Sequence, residues 1–174
     1  FIESYTNNSY PTVLVFSETE IPYVVSENDN ILKFIQSKLD NNTVVIIGGM
    51  RKNSSNKKYF NSMFRINSKN IEYFDKQILV PFGEYIPLNN LLPFIKKFTY
   101  GSSYFSIGNT ERNLSLFENI SFIPTICFEN IFFENIISKN NYTNKIIVNI
   151  TNDSWFGKFQ GPYQHFYQSI LRSS

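Results

Sequence analysis

The chain has 174 residues, enough for one domain with a sizeable hydrophobic core. Its 16 basic and 14 acidic side chains nearly cancel, which argues against a nucleic-acid-binding protein, since such surfaces carry a clear basic excess. A hydrophobic content of 42% excludes a disordered protein, and a single cysteine excludes a disulfide framework within the chain. No apolar run approaches the roughly 20 residues of a transmembrane helix.

The first half of the chain predicts strands with one helix between them. Residues 12–16 (TVLVF) predict a buried strand, and an amphipathic helix capped by Ser26 follows. Residues 43–48 (TVVIIG) predict a second buried strand. Residues 59–67 and 71–74 then predict a hairpin around an Asn-rich turn.

The second half repeats the alternation of strand and helix. Residues 121–127 (SFIPTIC) predict a strand, 129–139 a helix, 145–151 (KIIVNIT) a strand, and 164–174 the beginning of a further helix. Strands that are apolar on both faces and alternate with helices indicate an α/β domain whose sheet is covered by helices.

Three side chains that could perform chemistry follow predicted strands. Cys127 ends the strand 121–127, Glu18 lies just past the strand 12–16, and Lys76 follows residues 71–74. Taken singly, a lone cysteine is more often a small buried hydrophobe, and a lone charge is more often a solvated surface group. Functional groups in α/β proteins collect at the carboxyl ends of strands, so we expect the three to meet at the exits of one sheet.

These three groups make a coherent set for acyl chemistry. The Glu18 carboxylate can take the proton of the Cys127 thiol as the sulfur attacks a carbonyl carbon, and return it to the leaving group. The Lys76 ammonium can stabilise the resulting oxyanion, with a backbone N–H as its companion.

His165, the only histidine, leaves a second interpretation of the cysteine open. A Cys–His dyad could use only Cys127 and His165, whereas a partly buried histidine with local hydrogen bonds is the more common situation. One cysteine and one histidine cannot complete a zinc site without carboxylates, and Gly48–Gly49 lacks the spacing of a phosphate-binding loop. We therefore expect neither a metal nor a cofactor.

The sequence blocks around these residues resemble the bacterial apolipoprotein N-acyltransferases. The blocks are residues 74–87 (FDKQILVPFGEYIP), 124–129 (PTICFE) and 151–157 (TNDSWFG), the last continuing to 161–165 (GPYQH). The Glu–Lys–Cys set is similar to that of the wider nitrilase superfamily, whereas VPFGEYIP and NDSWFG are similar to the acyltransferases in particular. The blocks occur in order, and the resemblance covers nearly the whole chain.

The resemblance implies a nitrilase-like α/β/β/α sandwich, truncated at both ends, in which residues 1–174 are part of a catalytic domain. A membrane domain before it and a further catalytic segment after it would then be absent from this chain. By the same resemblance Glu18 is the general base, Lys76 the oxyanion-stabilising cation and Cys127 the nucleophile.

Four further positions match the family pattern. Glu84 and Glu129 match carboxylates that support the triad. Trp155 and Phe156 match a loop near the acyl site, although a place in the core explains two aromatic residues equally well.

The implied activity moves an acyl chain from a membrane phospholipid, through a thioester on Cys127, to the α-amine of a lipoprotein's diacylglyceryl-modified N-terminal cysteine. The implied partners are the phospholipid, the prolipoprotein and a membrane contacted through segments outside this chain, without nucleic acid. The implied location is the bacterial inner membrane, with the catalytic domain on the periplasmic side.

Two positions depart from the family pattern. The family usually has Trp-Pro-Glu at the base, where this chain has Phe16–Ser17–Glu18, and usually has tyrosine after the nucleophile, where this chain has Phe128. The first change replaces a rigid proline and puts the placement of Glu18 in question. The second removes any role for a phenolic hydroxyl.

Two other functions remain open from the sequence. A soluble carbon–nitrogen hydrolase would use the same Glu–Lys–Cys triad but pass the acyl group to water. A non-catalytic binding domain could keep the fold without activity, although the retained Glu18, Lys76 and Cys127 argue against it.

Overall fold

A computed structural model of the chain describes residues 2–6, 9–26, 29–85, 105–132, 136, 146–157 and 160–172. Within them lie eight strands: β1 (Thr12–Val15), β2 (Ile21–Val25), β3 (Thr43–Lys52), β4 (Tyr59–Ile66), β5 (Ile71–Asp75), β6 (Leu114–Phe117), β7 (Ile120–Ile126) and β8 (Ile146–Ile150). The α-helices of the same residues are α1 (Asn30–Ser37) and α2 (Gly161–Arg172). Short 3₁₀ helices cover Ile2–Ser4, Cys127–Phe132 and Asp153–Phe156.

Most of the predicted strands are confirmed, and two strands were not anticipated. The hairpin of β4 and β5 is antiparallel as predicted, while β3 continues four residues beyond the predicted end at residue 48. The strand β2 (IPYVV) lacked a signal because it contains a proline and its three central residues are exposed. The strand β6 has only four residues, too few for a periodic pattern.

Two helix predictions differ from the structure. The cap of α1 is Asp29, whose side chain accepts a hydrogen bond from the backbone N–H of Ile31 at 3.1 Å, and not Ser26. The predicted helix 129–139 begins as the 3₁₀ helix Cys127–Phe132, whereas Ile136 is α-helical as predicted. Residues 133–135 and 137–139 of that prediction lie outside the described part of the chain.

The strands form two sheets that pack face to face. The first has the order β1-β3-β4-β5, with β2 beside the second half of β3, and the second has the order β6-β7-β8. One apolar cluster lies between the sheets, with Val44, Met63 and Phe74 from the first and Phe122 and Ile126 from the second. A second cluster joins the other face of the first sheet to α1. The expected α/β sandwich is therefore confirmed.

Strand directions bring the predicted site residues to one end of this sandwich. β1 runs parallel to β3, and β3 and β5 each run antiparallel to β4, so the carboxyl ends of β1 and β5 lie at the same end of the first sheet. Glu18 follows β1 and Lys76 follows β5, whereas Cys127 follows β7 of the second sheet. The expectation that all three leave one sheet is wrong: the site lies between the ends of two facing sheets.

Gly48 allows the segment that carries Glu18 to lie directly against β3. A Cβ atom at this position would be 2.7 Å from both the Glu18 Cα and the Ser17 carbonyl oxygen, which are backbone atoms with little freedom to move. At the neighbouring Gly49, the nearest atom to such a Cβ is the Ile21 Cβ at 3.3 Å, a contact that a shift of a few tenths of an ångström would relieve. The close approach therefore requires glycine at position 48 in particular.

We predict that Gly48→Ala displaces the Glu18 segment and destabilises the full-length protein by about 1–3 kcal/mol, the usual cost of overpacking. Gly49→Ala is the matched control and should cost clearly less, because its neighbours are side chains. Chemical denaturation of the two variants measures the difference. Equal unfolding midpoints would contradict the proposed constraint.

Candidate active site

Lys76 lies between two carboxylates at the end of β5. Its Nζ is 3.0 Å from Glu84 Oε1 and 3.6 Å from Glu18 Oε1, and its side chain is only 1% exposed. Burial lowers the pKa of the ammonium, but the charges of Glu18 and Glu84 outweigh this effect, so the net pKa is raised above its usual value. Lys76 is therefore a fixed cation at neutral pH and not a proton carrier.

Asn61 on β4 holds the two carboxylates in position. Its Nδ2 donates to Glu18 Oε1 at 2.7 Å and to Glu84 Oε1 at 2.9 Å. The second oxygen of Glu18 accepts from the backbone N–H of Asn152 at 3.1 Å, and that of Glu84 accepts from the N–H of Val80 at 2.8 Å. Both carboxylates are thus oriented through both of their oxygens.

Two backbone hydrogen bonds to β3 hold the segment that carries Glu18. The Phe16 N–H donates to the Ile46 carbonyl oxygen at 2.8 Å, and the Ser17 carbonyl oxygen accepts from the Gly48 N–H at 3.1 Å. This pairing positions Glu18 although serine, which is less rigid than proline, precedes it.

Cys127 begins the 3₁₀ helix that follows β7, and its backbone has a φ of 50°, in the left-handed region. Its side chain packs at the end of the core between the sheets. Burial, and then the nearby charge of Glu18, raise the pKa of the thiol to about 11, despite a hydrogen bond with Thr151 and the charge of Lys76, which lower it. The thiol is therefore protonated at neutral pH and requires a base to become a nucleophile.

Glu129 connects the two sides of the site. Its Oε1 accepts from the backbone N–H groups of Gln77 and Ile78 at 2.8 and 3.0 Å, and its Oε2 accepts from the N–H of Ile126 at 2.9 Å. The Arg112 guanidinium donates to both carboxylate oxygens, at 2.8 and 3.2 Å. The residues just after Lys76 and the last residue before Cys127 are therefore bound to one fully buried carboxylate.

A second buried ion pair lies next to Lys76 in the first sheet. Arg51 on β3 donates to both oxygens of Asp75 at 3.0 and 2.6 Å, and Ser62 donates to Asp75 Oδ1 at 2.6 Å. The guanidinium is stacked between the rings of Phe60 and Tyr73 at 4.7 and 4.1 Å. The residue that precedes the site lysine is thus held by a bidentate pair.

An apolar pocket of about 470 Å³ opens beside Cys127, within the usual range for small-molecule sites. Its lining comes from the segment after Lys76, from the 3₁₀ helix that begins at Cys127 and from α2: Val80, Pro81, Phe82, Gly83, Cys127, Phe128, Ile131, Gly161, Gln164, His165 and Gln168. None of these lining residues is acidic or a lysine or arginine, so the pocket suits an uncharged apolar group.

The structure brings Glu18, Lys76, Glu84 and Cys127 together, and Glu129 lies beneath them, as the sequence predicts for a single site. The backbone of Trp155 and Phe156 lies in the 3₁₀ helix Asp153–Phe156, which follows Asn152, a partner of Glu18. Their side chains lie outside what the structure describes, so their assignment to the acyl site stays a prediction.

Sequence reasoning missed three polar residues that contact this site: Asn61, Arg112 and Asn149, whose Nδ2 donates to the Cys127 carbonyl oxygen at 3.2 Å. Asn61 lies within a strand of otherwise ordinary pattern, and Arg112 lies in an irregular segment before β6. Because the chain is rich in asparagine and lysine, no single polar residue stood out. Asn61 is identified as a partner of Glu18 and Glu84 only by hydrogen bonds in the structure, which join residues more than 20 positions apart in sequence.

Among the described residues, Cys127, Asp153 and His165 place three potential metal-ligand atoms within 4.8 Å of one another. Both nitrogens of the His165 ring, however, already have oxygen partners, the Asp153 carboxylate and the Cys127 carbonyl group. The raised thiol pKa also disfavours ligation, since the thiolate is the form that binds metals. The contacts of this cluster are those of a hydrogen-bond network.

The chain belongs to the carbon–nitrogen hydrolase family, whose sequence model matches residues 9–173. Its curated relatives include proteins named apolipoprotein N-acyltransferase. One from Rhizobium rhizogenes is 35% identical over 171 residues, which make up 94% of this chain and 32% of that protein. One from Rickettsia typhi is 39% identical over 162 residues, 88% of this chain and 30% of that protein. The chain thus spans about a third of the length of these relatives.

Solved structures agree on the fold. A carbon–nitrogen hydrolase superfamily protein from Xanthomonas campestris has a TM-score of 0.60 at 13% identity, and the match covers 99% of this chain and 61% of that one. The glutamine-dependent NAD+ synthetase of Acinetobacter baumannii has a TM-score of 0.56 at 16% identity, over 91% of this chain and 28% of that one.

Among the described residues, no helix is both long and apolar enough to cross a bilayer.

We predict that Glu129→Gln destabilises the protein by about 3–5 kcal/mol, the range for breaking a buried ion pair, because Arg112 loses its counter-charge and the amide cannot accept from all five donors. Glu72→Gln is the matched control, because the Glu72 side chain is about a third exposed and its ion pair with Arg65 is long, at 3.8 Å. This substitution should cost under about 1 kcal/mol. Denaturant unfolding measures both. A midpoint for Glu129→Gln near that of Glu72→Gln would show that the carboxylate does not join the two sheets.

The raised pKa of Cys127 predicts slow alkylation at neutral pH. Below a pKa of about 11 the thiol is protonated, so the rate with iodoacetamide should rise roughly tenfold per pH unit up to that value. In Glu18→Gln the carboxylate charge that raises this pKa is gone, so the midpoint should move to lower pH. A wild-type midpoint at or below 9, or no shift in Glu18→Gln, would contradict the described electrostatics.

Proposed function

We propose that the chain is part of the catalytic domain of an apolipoprotein N-acyltransferase. In this proposal it takes an acyl chain from a membrane phospholipid onto Cys127 and passes it to the α-amine of a lipoprotein's diacylglyceryl-modified N-terminal cysteine. The observation that carries the proposal is the cluster of Glu18, Lys76 and Cys127 beside an apolar pocket. The names of the curated relatives support the same activity.

In the first half-reaction the Cys127 sulfur attacks the ester carbonyl carbon of the phospholipid while its proton passes to Glu18. A protonated thiol with a raised pKa beside an oriented carboxylate suits this general-base step. The Lys76 ammonium and the backbone N–H of Phe128 stabilise the oxyanion. The C–O bond of the ester then breaks, and Glu18 returns the proton to the departing lysophospholipid oxygen, leaving a thioester on Cys127.

In the second half-reaction the free α-amine of the lipoprotein attacks the thioester carbonyl carbon. Glu18 takes a proton from the attacking nitrogen, and the thiolate leaves and is protonated again as the amide forms. Lys76 serves the oxyanion in both halves, because Glu84 and Glu18 hold it in place and keep it charged. No cofactor takes part in the proposed reaction.

The pocket favours a lipid donor over the small amides of a soluble hydrolase. Val80, Pro81, Phe128 and Ile131 line it beside Cys127, and Phe82 at its edge is 70% exposed. Exposed apolar residues next to a pocket are typical of a surface that meets another apolar phase or partner.

We propose a location at the periplasmic face of the bacterial inner membrane, with the membrane contacted through segments outside this chain.

We predict that the full-length protein, given a phospholipid with an alkyne-tagged acyl chain, acquires a hydroxylamine-sensitive label on Cys127, read by mass spectrometry. Cys127→Ser should lose the label. Lys76→Met should form it about 10²–10³-fold more slowly, the usual cost of losing one oxyanion donor. Lys69→Met is the matched control, because Lys69 is an exposed lysine in the turn between β4 and β5, and it should label at the wild-type rate.

Addition of a peptide with an N-terminal diacylglyceryl-cysteine then distinguishes the two enzyme classes. Transfer of the label to the peptide amine supports the acyltransferase. Release of the label only as free fatty acid would establish the hydrolase alternative. A label that persists in Cys127→Ser would reject the proposed nucleophile.

A further inference from the structure

His165 and Asp153 form a hydrogen-bond network beside the backbone of Cys127, and the proposed acyl chemistry does not use this network directly. The His165 Nε2 is 3.2 Å from the carbonyl oxygen of Cys127, and its Nδ1 is 2.9 Å from Asp153 Oδ1. The His165 side chain is only 10% exposed. The ring therefore faces the backbone of the nucleophile, which is not the contact that a Cys–His dyad would use.

The backbone of Cys127 needs such support. A residue with a Cβ and a φ of 50° lies in the left-handed region, which is strained and persists only where the surroundings hold it. Its carbonyl oxygen accepts from two side chains, Asn149 Nδ2 on β8 and His165 Nε2 on α2, each at 3.2 Å. Because the two donors come from different elements, they fix the peptide group after the nucleophile from two directions.

Asp153 fixes the orientation of the histidine ring. Its Oδ1 also accepts from Thr151 Oγ1 at 3.0 Å, so the carboxylate itself has a defined position. The ring thus lies between two oxygen partners, the Asp153 carboxylate on one nitrogen and the Cys127 carbonyl group on the other.

A second set of contacts keeps α2 against the 3₁₀ helix of the nucleophile. Asn130 Nδ2 donates to Ser169 Oγ at 2.7 Å, and Ser169 Oγ donates to the His165 carbonyl oxygen at 3.1 Å. The backbone of His165 is thereby tied to the segment that begins with Cys127.

We propose that His165, oriented by Asp153, is a positioning residue that holds Cys127 in the left-handed conformation in which its thiol can reach Glu18 and the oxyanion donors. The inference rests on the proposed function in one respect, namely that Cys127 is the nucleophile of an acyl transfer. His165 exchanges no proton with the thiol or the substrate; it acts through the backbone carbonyl group.

The test uses an activated ester, so that it does not depend on the identity of the natural donor. With p-nitrophenyl acetate, the Cys127 sulfur attacks the ester carbonyl carbon, p-nitrophenolate leaves, and the thiol proton passes to Glu18. An acetyl thioester remains on Cys127. The burst of p-nitrophenolate in the full-length protein gives the acylation rate. We expect His165→Met to slow the burst about 10–100-fold, the scale for a misplaced reacting group, with little change in the ester concentration at half-saturation.

Three further variants separate positioning from simple stability. His165→Gln keeps a side-chain N–H near the Cys127 carbonyl and should recover much of the lost rate. Asp153→Asn removes the charge that orients the ring and should lower the rate less than His165→Met does. Tyr167→Ala on α2, where Tyr167 is 62% exposed, should leave the rate unchanged and serves as the control. Thermal unfolding of each variant is measured alongside.

A wild-type burst rate in well-folded His165→Met, or rates that simply follow the unfolding midpoints with no recovery in His165→Gln, would overturn the inference. Absence of a burst in the wild-type protein would overturn it together with the assignment of Cys127. If the ester acylates Cys127 with the expected dependence on His165 but the tagged phospholipid does not, the positioning role stands and the phospholipid donor is rejected.

Discussion

The site depends first on the buried carboxylate of Glu129. Its two oxygens accept from backbone N–H groups just after Lys76 and just before Cys127, so it sets the distance between segments that belong to different sheets. Arg112 supplies the charge that makes a fully buried carboxylate tolerable, and it donates to both oxygens. The hydrogen bond from the Asn152 N–H, just after β8, to Glu18 is a further polar contact between the ends of the two sheets.

Burial and charge together set the protonation states of Lys76 and Cys127. Two carboxylates flank the ammonium, so Lys76 stays protonated, whereas burial and then the charge of Glu18 raise the pKa of the Cys127 thiol more than Lys76 lowers it. In the proposed reaction the cation is therefore available to an oxyanion, and the proton of Cys127 leaves during attack. The roles proposed for Glu18, Lys76 and Cys127 follow from this arrangement, and the raised thiol pKa supports general-base activation over a preformed thiolate.

Some of the site could be predicted from the sequence, and the reason differs from residue to residue. Glu18 and Lys76 follow apolar strands directly, and the carboxyl ends of β1 and β5 meet because the strand directions alternate in an ordinary way. The prediction that Cys127 lies at a strand end is correct, but the predicted sheet is wrong, because an apolar run does not indicate which strands pair. Asn61 was missed because its role arises from two hydrogen bonds to residues 43 and 23 positions away.

The sequence by itself determined the α/β class, most of the strands, the resemblance to the acyltransferases and the candidate reactive side chains, because periodicity and local motifs extend over short stretches of chain. Only the tertiary structure decided how two separate sheets bring those side chains together, which buried groups orient them, and that His165 faces the carbonyl group of Cys127. The physical reason is that strand pairing, burial and pKa depend on contacts between residues far apart in sequence. No local pattern records them.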